Sequence, residues 1–378
     1  MADREAEILA RLAPGVADVA AGAWDAISGG DPFLSHAFLA SLEDSGSVGP
    51  GTGWSPAPIL IEDEGRLVAA APAYLKSHSQ GEYVFDHGWA DAWQRAGGSY
   101  YPKLQIAVPF TPVPGARLLG SRPRQLLAAA EAVTVQNGLS SAHITFLTGG
   151  EAETCAERDW LIRHGIQYHW RNRGYASFDD FLGALRSPKR KAIRKERAGA
   201  RHAVEFRTLR GAEIGPAEWD AMWAFYQDTG ARKWGRPYLT RAFFDLIAER
   251  LGDRVLLFLA YRGRLPIAGA LNLVGADTLY GRYWGTLDEV PFLHFELCYY
   301  QAIEWAIAHG LSSVQAGAQG EHKLARGYEP VITHSAHFLP NRSFRDAVAE
   351  FIEGERAGIA RELEWLAESL PYRDSSSA

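Results

Sequence analysis

Two short motifs occur twice in this chain, and their repetition constrains the fold more than any other feature of the sequence. The stretch 65–75 (GRLVAAAPAYL) resembles 263–273 (GRLPIAGALNL), and NGLSS at 137–141 resembles HGLSS at 309–313. In both copies the Gly-Leu-Ser-Ser motif follows a predicted amphipathic helix (124–136 and 294–309) and precedes a predicted strand (142–147 and 314–317). Because the motifs occur in the same order on matching elements, the sequence predicts a duplicated fold.

Hydrophobic periodicity predicts the elements around these motifs. In the second half, period-two runs predict strands over 254–261, 266–274 and 278–285, and a helix over 294–309 precedes a strand over 314–317. Strands grouped around one central helix and strand are typical of an α+β fold, with mixed β-sheets flanked by helices. The sequence therefore predicts two domains of this class.

The two copies also predict where the domains begin and end. We expect an N-terminal domain over 1–176, a basic helical connector over 177–202, and a C-terminal domain over 203–378 that ends in an amphipathic helix. A chain of 378 residues is long enough for two domains of roughly 150 residues each. The first copy carries extra residues around 89–114, and this insertion is too aromatic to be disordered.

Composition argues against several classes of protein. A net charge of −6 and a pI near 6.1 argue against a protein that coats nucleic acid. The two cysteines, Cys155 and Cys298, give neither a disulfide framework nor zinc-ligand spacing, so we expect no metal site. The acidic start of the chain and the lack of a run of ~18–20 apolar residues predict a cytoplasmic protein without a membrane span. The oligomeric state stays open.

The tract 316–328 (AGAQGEHKLARGY) combines glycines with polar side chains directly after a predicted strand. Glycine has no side chain to bury and costs conformational entropy, so the tract is a poor core element. Open α/β sheets bind ligands at the carboxyl ends of their strands, which favours a functional site over an ordinary solvated loop. The candidate residues in this tract are Gln319, Glu321, His322, Lys323 and Arg326.

Further polar and aromatic residues are expected to flank this site. His294 and Glu296 lie near the start of the predicted central helix, and Tyr283 and Trp284 end the preceding strand. The alternative for His294 is a capped or otherwise satisfied histidine. In the first half, a charged and aromatic patch predicts a groove for an acceptor molecule or, alternatively, packing between the domains. The candidates in this patch are Asp86, Trp89, Tyr101 and Lys103.

Segment 186–201 carries eight basic residues and one acidic residue. On a helix, arginines at positions 190, 194 and 197 share one face. Such a face can neutralise the phosphates of tRNA or of a nucleotide-linked sugar, and the alternative is a solvated connector helix. Without interleaved aromatic residues, readout of bases is not expected. The candidate phosphate- or tRNA-binding residues are Lys189, Arg190, Arg194 and Arg197.

Several motifs together resemble one known family. They are HFELCYYQ at 294–301, GAQGEHK at 317–323 with Arg326 and Gly327, YVFD at 83–86, YYPKL at 100–104, VPFTPV at 108–113 and the basic stretch 189–197. This set is similar to the FemAB-like, peptidoglycan-related aminoacyltransferases, in the proteobacterial branch of predicted N-acyltransferases. The resemblance covers nearly the whole chain. It implies two tandem GNAT-like domains (the acyl-CoA N-acyltransferase fold) and transfer of an acyl or aminoacyl group to an amine.

The implied reaction assigns roles to the candidate residues. An amine must lose a proton and attack a carbonyl, and the site must stabilise the resulting oxyanion. We expect Glu321 and His322 to transfer the proton, with Lys323 as a third catalytic residue. Gln319 is expected to orient the substrate, and Lys323 with Arg326 to hold an anionic group. The second domain would carry the reaction, and the first would help to hold an amine acceptor such as an amino acid or a cell-wall precursor.

One departure from the GNAT pattern bears on the donor. GNAT enzymes that use coenzyme A typically carry a glycine-rich turn that binds the pyrophosphate at a helix N-terminus. The corresponding stretch, 286–293, has no glycine and contains two acidic residues, which would repel a pyrophosphate. The sequence therefore favours aminoacyl-tRNA as donor and no tightly bound cofactor. The alternatives are an acyl-CoA-dependent N-acetyltransferase and a non-catalytic module that binds precursors.

Overall fold

The structure is a computed structural model that describes residues 9–234, 237–317 and 320–373. Its strands are β1 (Leu9–Leu12), β2 (Trp54–Pro56), β3 (Ile59–Asp63), β4 (Arg66–Ala71), β5 (Ala73–Lys76), β6 (Lys103–Ile106), β7 (Leu119–Gly120), β8 (Ala142–Leu147), β9 (Leu161–Arg171), β10 (Glu205–Arg210), β11 (Val255–Arg262), β12 (Leu265–Val274), β13 (Thr278–Thr286), β14 (Ser313–Ala316) and β15 (Glu329–Phe338).

The helices connect these strands in both halves of the chain. They are α1 (Ala21–Asp25), α2 (His36–Asp44), α3 (His87–Arg95), α4 (Pro123–Gln136), α5 (Gly149–Ala156), α6 (Phe178–Ala184), α7 (Ser187–Ala203), α8 (Pro216–Trp234), α9 (Arg241–Leu251), α10 (Leu293–Phe295), α11 (Gln301–Ala308) and α12 (Arg342–Glu368). A π-helical turn (Glu296–Tyr300) joins α10 to α11, and a 3-10 helix (Glu321–Arg326) follows β14.

The chain forms two compact units, and each unit combines two separate parts of the sequence. Unit 1 comprises the described residues up to Gly165 together with Thr333–Ile359. Unit 2 comprises Ile166–Ile332 together with the described residues from Ala360 onward. The sequence predicts continuous domains, whereas here residues 334–338 of β15 pair with β8 and so belong to unit 1. The segment predicted as a connector, 177–202, forms α6 and most of α7 within unit 2.

Unit 1 contains two sheets. One sheet has the strand order β1-β3-β4-β7, with antiparallel neighbours throughout. In the other, β15, β8, β6, β5 and β2 are successive neighbours. Strands β6 and β8 run parallel because the crossover helix α4 lies between them in the chain. This helix buries Leu126, Leu127 and Ala130 in the hydrophobic core of the unit.

Unit 2 has the same succession of elements. Strands β10, β11, β12 and β13 form an antiparallel meander, β14 pairs in parallel with β13, and β9 pairs with the other edge of β14. The crossover from β13 to β14 consists of α10, the π-helical turn and α11, which bury Leu297, Ala302 and Ile303. Each unit therefore places a helical crossover between two parallel strands, as the repeated motifs predict.

The repeated motifs lie at equivalent positions in the two units. The Gly-Arg-Leu motif turns the chain between β3 and β4 in unit 1, and between β11 and β12 in unit 2. Its glycines, Gly65 and Gly263, have φ angles of 73° and 62°. Residues with a side chain rarely adopt this left-handed conformation, which explains why glycine recurs at this turn.

The predicted elements agree with the observed ones to within a few residues, with one exception. Strand β8 spans the predicted range 142–147, and α4 begins one residue before the predicted 124–136. The predicted continuous helix 294–309 is interrupted by the π-helical turn, a feature that is frequent at functional sites. Within the part of the chain that the structure describes, no helix has the length and apolar character needed to cross a membrane.

Candidate active site

The 3-10 helix Glu321–Arg326, called the 321–326 turn below, carries the central candidates of unit 2. Strand β14 ends at Ala316, and the chain then folds back so that the turn faces the end of the strand. The Nζ atom of Lys323 donates to the carbonyl oxygen of Gly317 at 2.6 Å, and its backbone N–H donates to the carbonyl oxygen of Gly320 at 3.0 Å. One backbone carbonyl therefore holds the ammonium group, and a second holds the backbone of the turn.

Lys323 is buried, and its ammonium donates to a backbone carbonyl. The lysine is 1% exposed, and no acidic side chain among the described residues forms an ion pair with it. Burial lowers the pKa of Lys323 to about 8, because loss of water disfavours the charged form. Burial, and then the charge of Lys323, also lower the pKa of His169 to about 4, so that this histidine is neutral. The end of β14 thus presents an amine that can gain or lose a proton near neutral pH.

His322 lies next to Lys323, and its ring is exposed. The hydroxyl of Tyr299 lies 2.8 Å from His322 Nε2, and the ring of Phe295 lies 5.7 Å from that of His322. Burial raises the pKa of Tyr299, so its hydroxyl keeps its proton at neutral pH. A Cβ atom on Gly320 would lie 2.6 Å from His322 Cε1, so the ring position requires glycine there.

Aromatic side chains from the helical crossover and from β13 surround the histidine. Trp284 packs edge-on against His294 with 5.1 Å between ring centroids, and His294 packs against Tyr299 at 5.3 Å. His294 lies 6.1 Å from His322. The structure therefore brings the predicted residues Trp284, His294 and His322 together, and Lys323 follows His322 in the chain. In the described part of the chain, no three histidine, cysteine or acidic side chains group as a metal site.

Arg326 has a different environment from the one predicted for it. Its NH1 group donates to the carbonyl oxygen of His322 at 2.7 Å, and its NH2 group donates to both carboxylate oxygens of Glu196 at 2.9 Å. The guanidinium also stacks 3.4 Å from the ring centroid of Phe295. These contacts occupy both terminal nitrogens of the group that was expected to hold a substrate anion. Arg326 therefore positions the 321–326 turn.

Glu296 and Arg197 were predicted to bind substrate and phosphate, but they bind each other. Arg197 donates from Nε and NH2 to the fully buried carboxylate of Glu296 at 3.0 Å, and its NH2 group lies 2.5 Å from Glu304. The π-helical turn places Glu296 on the buried side of the crossover. A buried carboxylate needs such a partner, because an unpaired buried charge is strongly destabilising. This pair attaches α7 to the crossover.

The remaining candidates of unit 2 lie outside the aromatic cluster or outside the described residues. Tyr283 packs against Tyr226 at 5.2 Å and Phe244 at 6.1 Å, because successive side chains of β13 point to opposite faces. Gln319 lies outside the described residues. Glu321 begins the 321–326 turn, and its side chain lies outside the described part of the chain.

On helix α7, three of the residues predicted to bind phosphate are exposed or half-buried. Lys189 and Arg194 are exposed, and Arg190 is half-buried. Arg194 forms an exposed ion pair with Asp179 at 3.1 Å, a contact of little energetic weight. These cations are available to a ligand, unlike Arg197 on the inner face of the same helix.

Three of the four unit 1 candidates meet in a buried charged network. Lys103 Nζ donates to Ser79 Oγ at 2.9 Å, to Glu82 Oε2 at 2.7 Å and to Asp86 Oδ2 at 2.5 Å. The hydroxyl of Tyr101 lies 2.8 Å from Ser79 Oγ. Burial alone would lower the pKa of Lys103, but the two carboxylates raise it above its ordinary value. Asp86 and Lys103 thus form an ion pair with each other, and the half-buried Tyr101 is the candidate in this network that solvent reaches.

Lys76 extends the network, since it is paired directly with Lys103 in the antiparallel register of β5 and β6. Like charges in this arrangement repel. Burial lowers the pKa of Lys76 to about 7 and raises the pKa of Glu82 to about 7, and their charged atoms lie 3.8 Å apart. The fourth candidate, Trp89, packs edge-on against His337 at 4.9 Å.

Sequence reasoning missed several residues of these clusters. Tyr299 lies within the HFELCYYQ motif but gives no separate signal, because aromatic residues on a helix are usually core. Glu196 is the single acid of the basic segment, and its isolation was the available signal. Lys76 and Glu82 could not be linked to Lys103 from spacing, because the 77–102 connection brings them together.

Comparison with known proteins places this geometry in a family. The chain matches the FemAB-like family, described as peptidoglycan biosynthesis/recognition, over residues 15–374. No curated protein matches it in sequence.

Solved structures resemble this chain at low sequence identity. The crystal structure of FemX is 12% identical, covers 88% of this chain and 98% of its own, and has a TM-score of 0.52. The structure of L-PGS from Bacillus licheniformis is 9% identical, covers 83% and 94%, and has a TM-score of 0.50. A tandem GNAT protein from the clavulanic acid biosynthesis pathway is 14% identical, covers 88% and 98%, and has a TM-score of 0.46.

The fold and the family agree with the interpretation of the sequence. The repeated topology and the likeness to FemX confirm an α+β fold of two tandem GNAT-like domains. The family match over nearly the whole chain confirms the predicted class of enzyme, an acyltransferase. The chain belongs to the FemAB-like family of peptidoglycan biosynthesis and recognition.

Proposed function

We propose that unit 2 transfers an aminoacyl group from aminoacyl-tRNA to a primary amine of a peptidoglycan precursor. The observation that carries this proposal is the buried ammonium of Lys323, held by a backbone carbonyl at the end of β14 beside His322. A cation in a site that excludes water stabilises an oxyanion far more than it would in solution. The family description supports the class of acceptor.

Each step of the transfer has a residue assigned to it. The acceptor nitrogen attacks the carbonyl carbon of the donor ester, and Lys323 stabilises the oxyanion that forms. His322, oriented by the hydroxyl of Tyr299, takes the proton from the attacking nitrogen. When the intermediate collapses, the carbon–oxygen ester bond breaks and His322 returns the proton to the departing ribose oxygen. The products are an amide and free tRNA.

The entrance to the helical crossover supports tRNA over coenzyme A as donor. Segment 286–293 has no glycine, and its Asp288 forms an ion pair with Arg262 while Glu289 is exposed. Two carboxylates at this position oppose a pyrophosphate group. The exposed cations of α7 supply the positive charge that a tRNA backbone requires.

A transfer assay tests the proposal. Purified protein is incubated with tRNA carrying a radiolabelled amino acid and with a UDP-linked muramyl-peptide precursor, and the labelled precursor is separated and counted. We expect transfer, and we expect Lys323→Met to slow it about 10²–10³-fold because the oxyanion loses its cation. His322→Gln should slow it about 10²–10⁴-fold. Arg95→Gln, an exposed residue of α3, serves as the control and should leave the rate unchanged.

Three results would contradict parts of the proposal. Tight binding of coenzyme A in a calorimetric titration, with transfer from an acyl-CoA, would make acyl-CoA the donor. Full activity of Lys323→Met would remove the lysine from the reaction. Binding of the precursor without transfer from either donor would favour the non-catalytic module.

A further inference from the structure

Helix α7 has two faces with different tasks. On its inner face, Arg197 and Arg201 form ion pairs with Glu296 and Glu304 of the crossover. On its outer face, Lys191, Arg194 and Lys195 are exposed, and Lys189 is exposed in the first turn of the helix. The inner pairs fix the helix to unit 2, while the outer cations stay in solvent.

The outer face fits a polyanion. The exposed cations from position 189 to 195 extend over about 9 Å of helix and include no acidic residue. Arg194 has an acidic neighbour, the exposed Asp179 of α6. A row of cations at this spacing, without aromatic side chains between them, suits a phosphodiester backbone and gives no means to read bases.

Glu196 connects this helix to the 321–326 turn. Its carboxylate accepts two hydrogen bonds from Arg326 NH2 at 2.9 Å, and it also accepts a hydrogen bond from the hydroxyl of Tyr300. Arg326 in turn donates to the carbonyl oxygen of His322 at 2.7 Å. Glu196 follows directly after Lys195 of the outer face. A single helical turn therefore carries both an exposed cation, Lys195, and the carboxylate that binds Arg326.

The basic composition of α7 leaves Glu196 as the one carboxylate of segment 186–201 that can bind Arg326. Glu196 is the only acidic residue among the eight basic residues of 186–201, and it faces inward. Arg326 is 7% exposed, so its charge needs a carboxylate partner, and the cations of α7 would otherwise repel it.

We propose that the outer face of α7 docks the phosphate backbone of an RNA, and that Glu196 on its inner face is a positioning residue that sets His322 through Arg326. The proposal rests on the proposed function for the identity of the RNA as the donor tRNA. It assigns Glu196 no contact with the reacting atoms.

The docking surface is tested with uncharged tRNA as the probe, by fluorescence anisotropy over a series of salt concentrations. The variant carries Lys189→Gln, Lys191→Gln and Lys195→Gln. We expect at least a tenfold loss of affinity at low salt, and a fall of about 2–3 in the slope of log K against log salt, since each phosphate contact contributes about 0.7–0.9. An unchanged affinity would overturn the docking surface.

A matched control removes the same charge elsewhere. Arg66→Gln, Arg95→Gln and Arg264→Gln are three exposed positions outside α7. This triple variant should keep the affinity within about twofold. An equal loss in both triple variants would mean that net charge, and not the face of α7, attracts the RNA, and would overturn the proposal.

The positioning role is tested with Glu196→Gln by NMR of the labelled histidine rings. We expect the pH midpoint and the chemical shifts of His322 to change, with tRNA affinity within twofold of the parent chain. In the transfer assay, kcat should fall at least tenfold with little change in KM, and Glu196→Asp should restore part of it. Loss of thermal stability with an unchanged His322 titration would mean a purely structural role and would overturn the assignment. The anisotropy and NMR measurements need no transfer, so they stand apart from a failure of the proposed reaction.

Discussion

Two lysines, one in each unit, are almost equally buried and have opposite electrostatics. Lys103 of unit 1 and Lys323 of unit 2 are 0% and 1% exposed. Lys103 donates to two carboxylates and a hydroxyl, and its pKa is raised. Lys323 donates to one backbone carbonyl, and its pKa is lowered to about 8. Burial alone does not make a lysine reactive, since the number of carboxylates beside it decides whether its proton is held or released.

In this duplicated fold, the difference separates a buried lysine that stabilises the structure from a buried lysine that can serve a reaction. Both units share the helical crossover between parallel strands, yet Lys323 titrates near neutral pH next in sequence to the exposed His322, whereas Lys103 keeps its proton. In unit 1, Lys103 is the first residue of β6, and its ammonium forms ion pairs with Glu82 and Asp86 in the connection after β5. We therefore interpret Lys103 as a residue that stabilises the fold and Lys323 as one that serves the reaction.

The largest expected effect is on stability. Lys103→Met leaves Asp86 and Glu82 buried without their main partner, and removal of one member of a buried ion pair costs about 3–5 kcal/mol. We expect urea unfolding, followed by circular dichroism, to show a loss of this size, whereas Lys323→Met should cost much less because no described carboxylate loses a partner.

A rescue variant separates charge from packing. Adding Glu82→Gln and Asp86→Asn to Lys103→Met removes the uncompensated charges and should recover part of the stability. Equal losses in the single variants Lys103→Met and Lys323→Met would break the comparison between the two lysines.

The next effect is the pH dependence of the free energy of unfolding. As pH rises, Lys323 is expected to increase this free energy, whereas Lys103 is expected to decrease it. The pKa of Lys323 is about 8 in the folded chain and about 10.5 when unfolded, so the unfolded state binds more protons between these values. Lys323 should therefore increase the free energy of unfolding as pH rises from about 8 to 10.5, by up to about 3 kcal/mol. The raised pKa of Lys103 gives stability that is fully present below about 10.5 and is lost as pH rises through its folded pKa.

Difference curves isolate each residue. The unfolding free energy of the parent chain minus that of Lys323→Met should rise across pH 8–10.5. The corresponding difference for Lys103→Met should stay level over that range. If the difference for Lys323 stays level across this pH range, its ammonium is better solvated than its hydrogen bond to the Gly317 carbonyl implies.

The sequence predicted the fold more completely than it predicted the site. Local signals identify strands, turns and motifs, so β8 and the repeated Gly-Arg-Leu turn follow from neighbouring residues. Partners of charged residues depend on contacts between distant parts of the chain, such as Arg197 with Glu296 across 99 residues and Arg326 with Glu196 across 130. No spacing rule links those positions. For this reason two of the predicted ligand-binding residues proved to bind each other, and Arg326 proved to position the turn.

Gly320→Ala has the smallest expected effect and tests how the backbone holds Lys323. Gly320 has a φ angle of 122°, and an added Cβ would lie 2.6 Å from His322 Cε1. We expect a loss of about 1–3 kcal/mol in unfolding free energy and a displaced His322 ring, visible as a changed His322 titration in NMR. Gly263→Ala is the matched control, because its φ of 62° is also left-handed but its Cβ would meet no atom within 4 Å. That variant should lose some stability and leave the His322 titration unchanged. If both variants leave His322 unmoved, the ring does not depend on Gly320, and the contact with Tyr299 is sufficient to hold it beside Lys323.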